Sequence, residues 1–298
     1  FATEVVEAAE NLRRGLDSED LLARFAQERR ILARLDHPGI ARLIDGGSDQ
    51  DGAPYLVMEF VPGENLTDHA RRLGLSLAAR LRLIIAVCDA VDAAHRQLVV
   101  HRDLKPSNVL VQADGSVKLL DFGIAKLLDG DDGEALRTEA GMRVLTPAYA
   151  APEQHRGETV GTAVDIYALG VILHELLTGD LPRFADDATG EQAPRAPSEL
   201  LARQRNAQTQ TTARDLVGDL DTLVLKALHP EPQRRYPSAY ALAEDVRRYL
   251  DGHPISARPD TFGYRVGKFI RRHRGGVAAG LLSLAGIVDE CLSLIRPV

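Results

Sequence analysis

Apolar residues recur along this chain at two periods, and the switches between them mark its elements. Residues 1–16 are weakly patterned, and the strand suggested by Val5 and Val6 runs straight into Glu7, Ala8, Ala9 and Glu10. Asp17-Ser18 reads as the cap of a helix over about 19–35, with Leu21, Phe25, Leu32 and Leu35 on one stripe. Glu28 lies on the same stripe, where a carboxylate needs a partner. After His37-Pro38-Gly39, Ile40–Gly47 and Pro54–Val61 read as two strands joined by the turn Asp49-Gln50-Asp51-Gly52.

Ser76 caps a long helix through about Gln97, with Leu77, Leu81, Ile84, Ile85, Cys88 and Val91 as its buried face. Val109-Leu110-Val111 and Val117-Lys118-Leu119-Leu120, around Ala113-Asp114-Gly115, predict a β-hairpin. A helix from Asp165 through Leu177 is apolar nearly all round, which predicts burial. Residues 185–214 read as loop with partial helix, and Gly218–Leu228 and Pro237–Leu250 as closing helices. Few strands come first and many helices follow, an α+β arrangement.

Composition narrows this picture. A chain of 298 residues suits one large domain or two lobes around a cleft. Its 36 Lys+Arg against 43 Asp+Glu give a net charge of -7, which argues against a nucleic-acid partner. Two cysteines, Cys88 and Cys291, have no metal-ligand spacing, and a reducing cytoplasm is expected. Phe1-Ala2-Thr3-Glu4 has no basic stretch before an apolar one, so no secretory leader is expected.

The character changes after Leu250. Residues 251–264 read as a linker, and Arg265, Lys268, Arg271, Arg272 and Arg274 form a basic run before the apolar Val277–Val288. Positive charge beside an apolar run is what a cytoplasmic juxtamembrane segment shows. Twelve residues rise only about 18 Å as a helix, short of the roughly 30 Å hydrocarbon core. Two readings therefore stand side by side: a truncated membrane anchor, or an amphipathic or disordered tail.

The candidate chemistry is concentrated in His101-Arg102-Asp103-Leu104-Lys105-Pro106-Ser107-Asn108 and, beyond the hairpin, Asp121-Phe122-Gly123. Asp103 can orient a hydroxyl and accept its proton. Lys105 can neutralise a transferring phosphoryl group. Asn108 and Asp121 are hard oxygen ligands suited to Mg²⁺ on ATP phosphates, and the hairpin would bring them to one end.

These motifs resemble the catalytic loop and metal-binding motif of eukaryotic-type protein kinases, and Ala151-Pro152-Glu153 resembles the end of their activation segment. The Lys-Pro-Ser-Asn form resembles the serine/threonine branch, in its bacterial members. The resemblance implies a two-lobed protein-kinase-like fold with a truncated small N-terminal β lobe (residues 1–61) and a large helical C-lobe (62–250). A basic juxtamembrane-like linker (251–276) and a short apolar tail (277–298) would follow. It implies ATP and Mg²⁺ as cofactors, protein Ser/Thr hydroxyls as substrate, and a cytoplasmic place, attached to the inner face of the plasma membrane if the tail is an anchor.

Residue by residue, it makes Asp103 and Lys105 catalytic, and Asn108 and Asp121 metal-binding. Met58 would stand as gatekeeper, with Glu59 and Val61 in the hinge that meets adenine and Glu64 near the ribose. Glu28 would be the glutamate that pairs with the small-lobe lysine. Asp165 would hold the catalytic-loop backbone, and Glu153 would pair with Arg235 or Arg234. His101, Arg102, Phe122 and Gly123 frame the site. Thr146 would sit near the substrate hydroxyl; of the two candidate phosphorylation sites, Thr138 and Thr146, Thr138 is therefore the better, and its phosphate would pair with Arg102 to order the activation segment.

One departure matters. No Gly-rich phosphate loop or Val-Ala-Ile-Lys-like strand is seen, and no lysine precedes Lys105. In the register set by Leu12-Arg13-Arg14-Gly15-Leu16-Asp17, Glu10 occupies the place of the nucleotide-binding lysine. Losing a charge pair at about 4 Å and an effective dielectric near 20 removes about 4 kcal/mol, roughly a thousandfold in rate. A non-catalytic pseudokinase or scaffold is therefore the rival expectation. A small-molecule phosphotransferase is a third, against which the Ala-Pro-Glu segment speaks.

Overall fold

A computed structural model describes residues 29–48, 54–122, 148–186, 192–203, 211–259 and 261–273, with 275 and 283. Glu10, Glu28, Gly123, Thr138 and Thr146 lie outside the described residues, as does all of 277–288 but Ser283.

The small lobe begins with helical residues 29–32 and a tight turn through Leu35. Strands β1 (Leu43–Ser48) and β2 (Pro54–Met58) form an antiparallel pair whose register shifts between Leu43 and Asp45. Both are shorter than expected: β1 starts late because residues 40 and 41 turn to the other lobe, and β2 stops at Met58. Ile40 bridges Leu119, and Ala41 N–H donates to Leu119 O at 2.9 Å. The Arg29 guanidinium donates to Gly46 O and ties the helical turn to β1.

The large lobe opens with β3 (Glu64–Asn65) and α1 (Leu66–Arg72), capped by the Asn65 side chain accepting from Asp68 N. Helix α2 (Leu77–Arg96) starts where Ser76 Oγ accepts from Ala79 N at 3.3 Å. Its stripe is buried at Leu81, Ile84, Cys88 and Val91 and half-buried at Leu77 and Ile85, and one cation is buried with it. Arg80 donates to Leu75 O at 2.9 Å, Leu176 O at 2.6 Å and Ala70 O at 3.4 Å, which makes its burial tolerable. The hairpin of β4 (Val109–Val111) and β5 (Val117–Leu119) joins β3 in a three-stranded antiparallel sheet, turning through Gly115 at φ +84°.

Helix α3 (Pro152–Arg156) leads to α4 (Ala163–Thr178), which is buried almost throughout. Gly170 lets α7 (Asp219–Ala227) close on it: an added Cβ would lie 2.8 Å from Ala227 Cβ. The described residues of 185–214 hold more regular structure than their composition suggests. It holds the hairpin β6 (Phe184–Asp186) and β7 (Gln192–Pro194), then α5 (Pro197–Arg203) and α6 (Ala213–Leu216).

Helix α8 (Ala239–Leu250) completes the core against α2. The chain after it, expected as a linker, folds back instead. The Asp245 carboxylate accepts from Ser256 N, Ser256 Oγ and Ala257 N at 2.6–2.9 Å, and Ile255 is buried. The last described helix, α9 (Phe262–Arg272), is pinned by Lys268 and Arg258 on Asp219 of α7.

Candidate active site

The site is built around a loop that one buried carboxylate holds in place. Helix α2 ends with His95 in its last turn, and Leu98 at φ +62° redirects the chain. Asp165, in the first turn of α4, accepts from His101 N (2.8 Å) through Oδ2 and from Arg102 N (2.9 Å) through Oδ1. His95 Nε2 lies 2.8 Å from Oδ2. Arg102 holds φ +63° and Asp121 φ +39°, conformations that cost non-glycine residues of order 1–3 kcal/mol and persist only where surroundings enforce them. Asp165 supplies that enforcement at Arg102.

Held this way, the loop presents Asp103 and Lys105 together: Lys105 Nζ is 2.9 Å from Asp103 Oδ2, and both side chains are partly open to solvent. Asn108 sits behind them and donates from Nδ2 to Asp103 O at 2.9 Å. That bond fixes the amide with its oxygen turned the other way, where it accepts only a long 3.5 Å bond from Ser107 Oγ and can serve as a ligand. Leu120 N–H donates to Asn108 O at 2.8 Å, which extends the β4–β5 ladder by one step. Asn108 and the exposed Asp121 therefore lie at the same end of the hairpin.

His101 is buried, and desolvation pushes its imidazole pKa down. The neutral ring donates from Nε2 to Leu120 O at 3.0 Å and lies 4.9 Å from the Phe122 ring. Phe122 in turn lines a pocket with Leu32, Leu35, Ile40, Leu56 and Met58, between the small-lobe turn and its sheet.

Between the lobes, Glu59 N–H donates to Arg42 O at 2.8 Å, and Val61 is buried. Lys118 Nζ lies 2.9 Å from both Glu59 oxygens, and that hydrogen-bonded cation holds the carboxyl pKa low. The Glu64 carboxylate accepts from Arg72 Nε at 2.9 Å and lies 3.5 Å from His69, so it is already engaged within the large lobe.

A second anchor holds the far end of the activation segment. Arg235 meets Glu153 through two bonds of 2.6 and 2.8 Å, both side chains buried. Its remaining donors reach Ala163 O, His229 O and Pro230 O, so no guanidinium edge is left dry. Arg234, the other candidate, is exposed and pairs with Glu231 instead. Gln154 Oε1 accepts from Ala151 N, and its Nε2 donates to Arg102 O at 2.9 Å, joining this segment to the catalytic loop.

Sequence reasoning missed three of these groups: His95, Lys118 and Gln154. Gln154 had a signal, since it stands three residues after the α3 cap, where a side chain reaches back to the cap. His95 had a weaker one, a ring in the last turn of a buried helix. Lys118 had none beyond alternation with the buried Val117 and Leu119.

A strained loop braced by a buried helix, facing a small sheet across a hinge, defines a protein kinase domain. The sequence profile of that family, the protein kinase domain, matches residues 5–246, and the chain belongs to the protein kinase family. Among its relatives are the serine/threonine-protein kinases pkn3 of Myxococcus xanthus (37% identical over 254 residues, 80% of this chain and 45% of that protein) and PknB of Mycobacterium tuberculosis (35% over 238 residues, 78% and 37%). PknB of Mycolicibacterium smegmatis is 36% identical over 238 residues, 78% of this chain and 37% of that protein. These relatives are serine/threonine-protein kinases. The chain spans between 34% and 45% of the length of the curated relatives it matches.

Proposed function

We propose that the chain transfers the γ-phosphoryl group of ATP to Ser/Thr hydroxyls of protein substrates. The observation that carries this reading is the Asp165 clamp, which presents the Asp103–Lys105 pair beside Asn108 and Asp121. A scaffold without chemistry has no need of that set.

In this reading Asp103 positions the hydroxyl and accepts its proton, while Lys105 bears on the transferring group. Asn108 and Asp121 would hold Mg²⁺, which would neutralise phosphate charge. The donor set fits, with a carboxylate and an amide oxygen at one hairpin end and further ligands expected from water and phosphate. Among the described residues no three His, Cys, Asp or Glu side chains gather elsewhere as a metal site. Backbone groups of Glu59 and Val61 would meet adenine. A ribose contact at Glu64 would compete with Arg72. Thr146 would receive the substrate, and phosphate on Thr138 would pair with Arg102.

The rival, a pseudokinase scaffold, is favoured by Glu10 in the lysine register, and the 298 residues alone are expected to bind Mg-ATP weakly and turn over slowly. The C-terminal segment would associate with a membrane, and no helix among the described residues is long and apolar enough to cross a bilayer.

A phosphotransfer assay on a generic protein substrate tests the main reading, using residues 1–298 and any longer in-frame product of the same gene. Transfer to Ser/Thr should occur, and Asp121→Ala should remove it with little change in melting temperature. Full activity in that variant would overturn the metal role. Mg-ATP calorimetry decides the rival: micromolar binding with ordinary turnover by residues 1–298 would sink it.

A further inference from the structure

Helix α9 is amphipathic in an unusual sense, with Lys268 and Tyr264 turned inward and its aromatic and arginine side chains turned outward. Lys268 binds Asp219 and lies 5.6 Å from the Tyr249 ring centroid, while the Tyr264 hydroxyl accepts from Ile255 N at 3.0 Å. Burial alone would raise the Asp219 pKa, and the hydrogen-bonded Lys268 and Arg258 hold it below the usual carboxylate value. These contacts use up one side of the helix. The opposite side carries Phe262, Val266, Phe269 and His273 at helical spacing, with Phe262 83%, Phe269 53% and Ile270 44% exposed. Arg265 and Arg272 flank that stripe, both exposed.

Aromatic rings flanked by arginines, turned to water, are out of place on a surface that only solvent meets. They suit the boundary between lipid headgroups and acyl chains. Charge selects among occupants. The chain is acidic, at -7, yet between Asp260 and Asp289 it has no acidic residue and five Lys or Arg. An anionic bilayer would be repelled by the net charge of the molecule and attracted by this basic, acid-free stretch. The next segment in sequence, Val277–Val288, is itself apolar.

We propose that α9 lies flat on an anionic lipid surface, with Phe262 and Phe269 entering the headgroup boundary and Arg265 and Arg272 meeting lipid phosphates. The clamp on Asp219 makes the helix part of the folded domain, so it sets which side of the C-lobe faces the membrane. This deepens the membrane reading above by placing the lipid contact in a folded helix. It does not depend on catalysis.

The chain contains no tryptophan, so Phe269→Trp in the full 298 residues gives a single reporter. Its emission should shift to the blue on phosphatidylserine-containing vesicles and much less on phosphatidylcholine alone. Ile44→Trp, also exposed but on the small lobe, should not shift. Partition to anionic vesicles should fall about tenfold or more in Phe262→Ser/Phe269→Ser, and about tenfold in Arg265→Gln/Arg272→Gln, with melting temperatures unchanged. Equal response to both vesicle types would overturn the proposal. So would undiminished binding by the double serine variant, which would place attachment in 277–298 and leave the membrane reading standing. Absence of any vesicle binding would sink both. A blue shift without vesicles, with dimers in sedimentation, would assign the face to a second copy.

Discussion

Asp165 and Glu153 are both buried carboxylates of the large lobe, and they are satisfied in opposite ways. Asp165 is met by two backbone N–H groups and a ring nitrogen, Glu153 by a guanidinium that also bonds three carbonyls. The difference sorts their work. Backbone donors fix the path of the chain itself, and no substitution in the loop short of proline removes them. An ion pair bolts one element to another and fails if either partner is lost. The loop that must hold a strained conformation has the first kind of anchor, and the segment that must only be kept attached has the second.

The strongest way to break this comparison is Arg235→Ala. It leaves Glu153 buried without its cation, and unfolding free energy should drop by about 3–5 kcal/mol in urea titration. A loss under about 1 kcal/mol would show that water reaches the site. His174 of α4 sharpens the contrast with a third solution, giving up the charge. Burial lowers its pKa from 6.5 to about 4. The unfolded chain takes the proton first as pH falls, so stability should decline from about pH 6.5 to about pH 4, by about 3 kcal/mol. His174→Asn should flatten that limb of a pH series of denaturation midpoints.

Next comes Asp165→Asn, which keeps one acceptor and turns an N–H₂ toward an N–H. A loss of about 2 kcal/mol is expected, with faster hydrogen exchange at the His101 and Arg102 amides. Unchanged exchange there would show that something else holds the loop. The smallest effect is expected from Lys118→Met. The partly exposed Glu59 pair should cost about 1 kcal/mol, with exchange rising at the Glu59 amide.

What could be read from the sequence follows from what kind of order each part has. The β4–β5 hairpin was legible because Val109, Val111, Val117 and Leu119 alternate around a Gly turn. Helix α2 was legible because Ser76 caps a long apolar stripe, and α4 because it is apolar all round. The catalytic loop was legible through its motif, and that loop then located Asp165. The β6–β7 hairpin was not, since its strands are three residues each and one ends in Pro194. The fold-back after Leu250 was hidden because polar contacts hold it, with Asp245 gathering donors from 256 and 257. The Lys118–Glu59 pair and the burial of Arg80 join residues far apart in sequence, and no local period reports such partners.

The reach of the Asp165 clamp has a consequence in time. Its carboxylate lies 64 residues after the His101 amide it holds. At the usual 5–20 residues per second of synthesis, about 3–13 s separate the making of the loop from the making of its anchor. The Arg235 that secures Glu153 comes a further 82 residues after that glutamate. A nascent chain therefore carries the groups of this loop for seconds before it can arrange them.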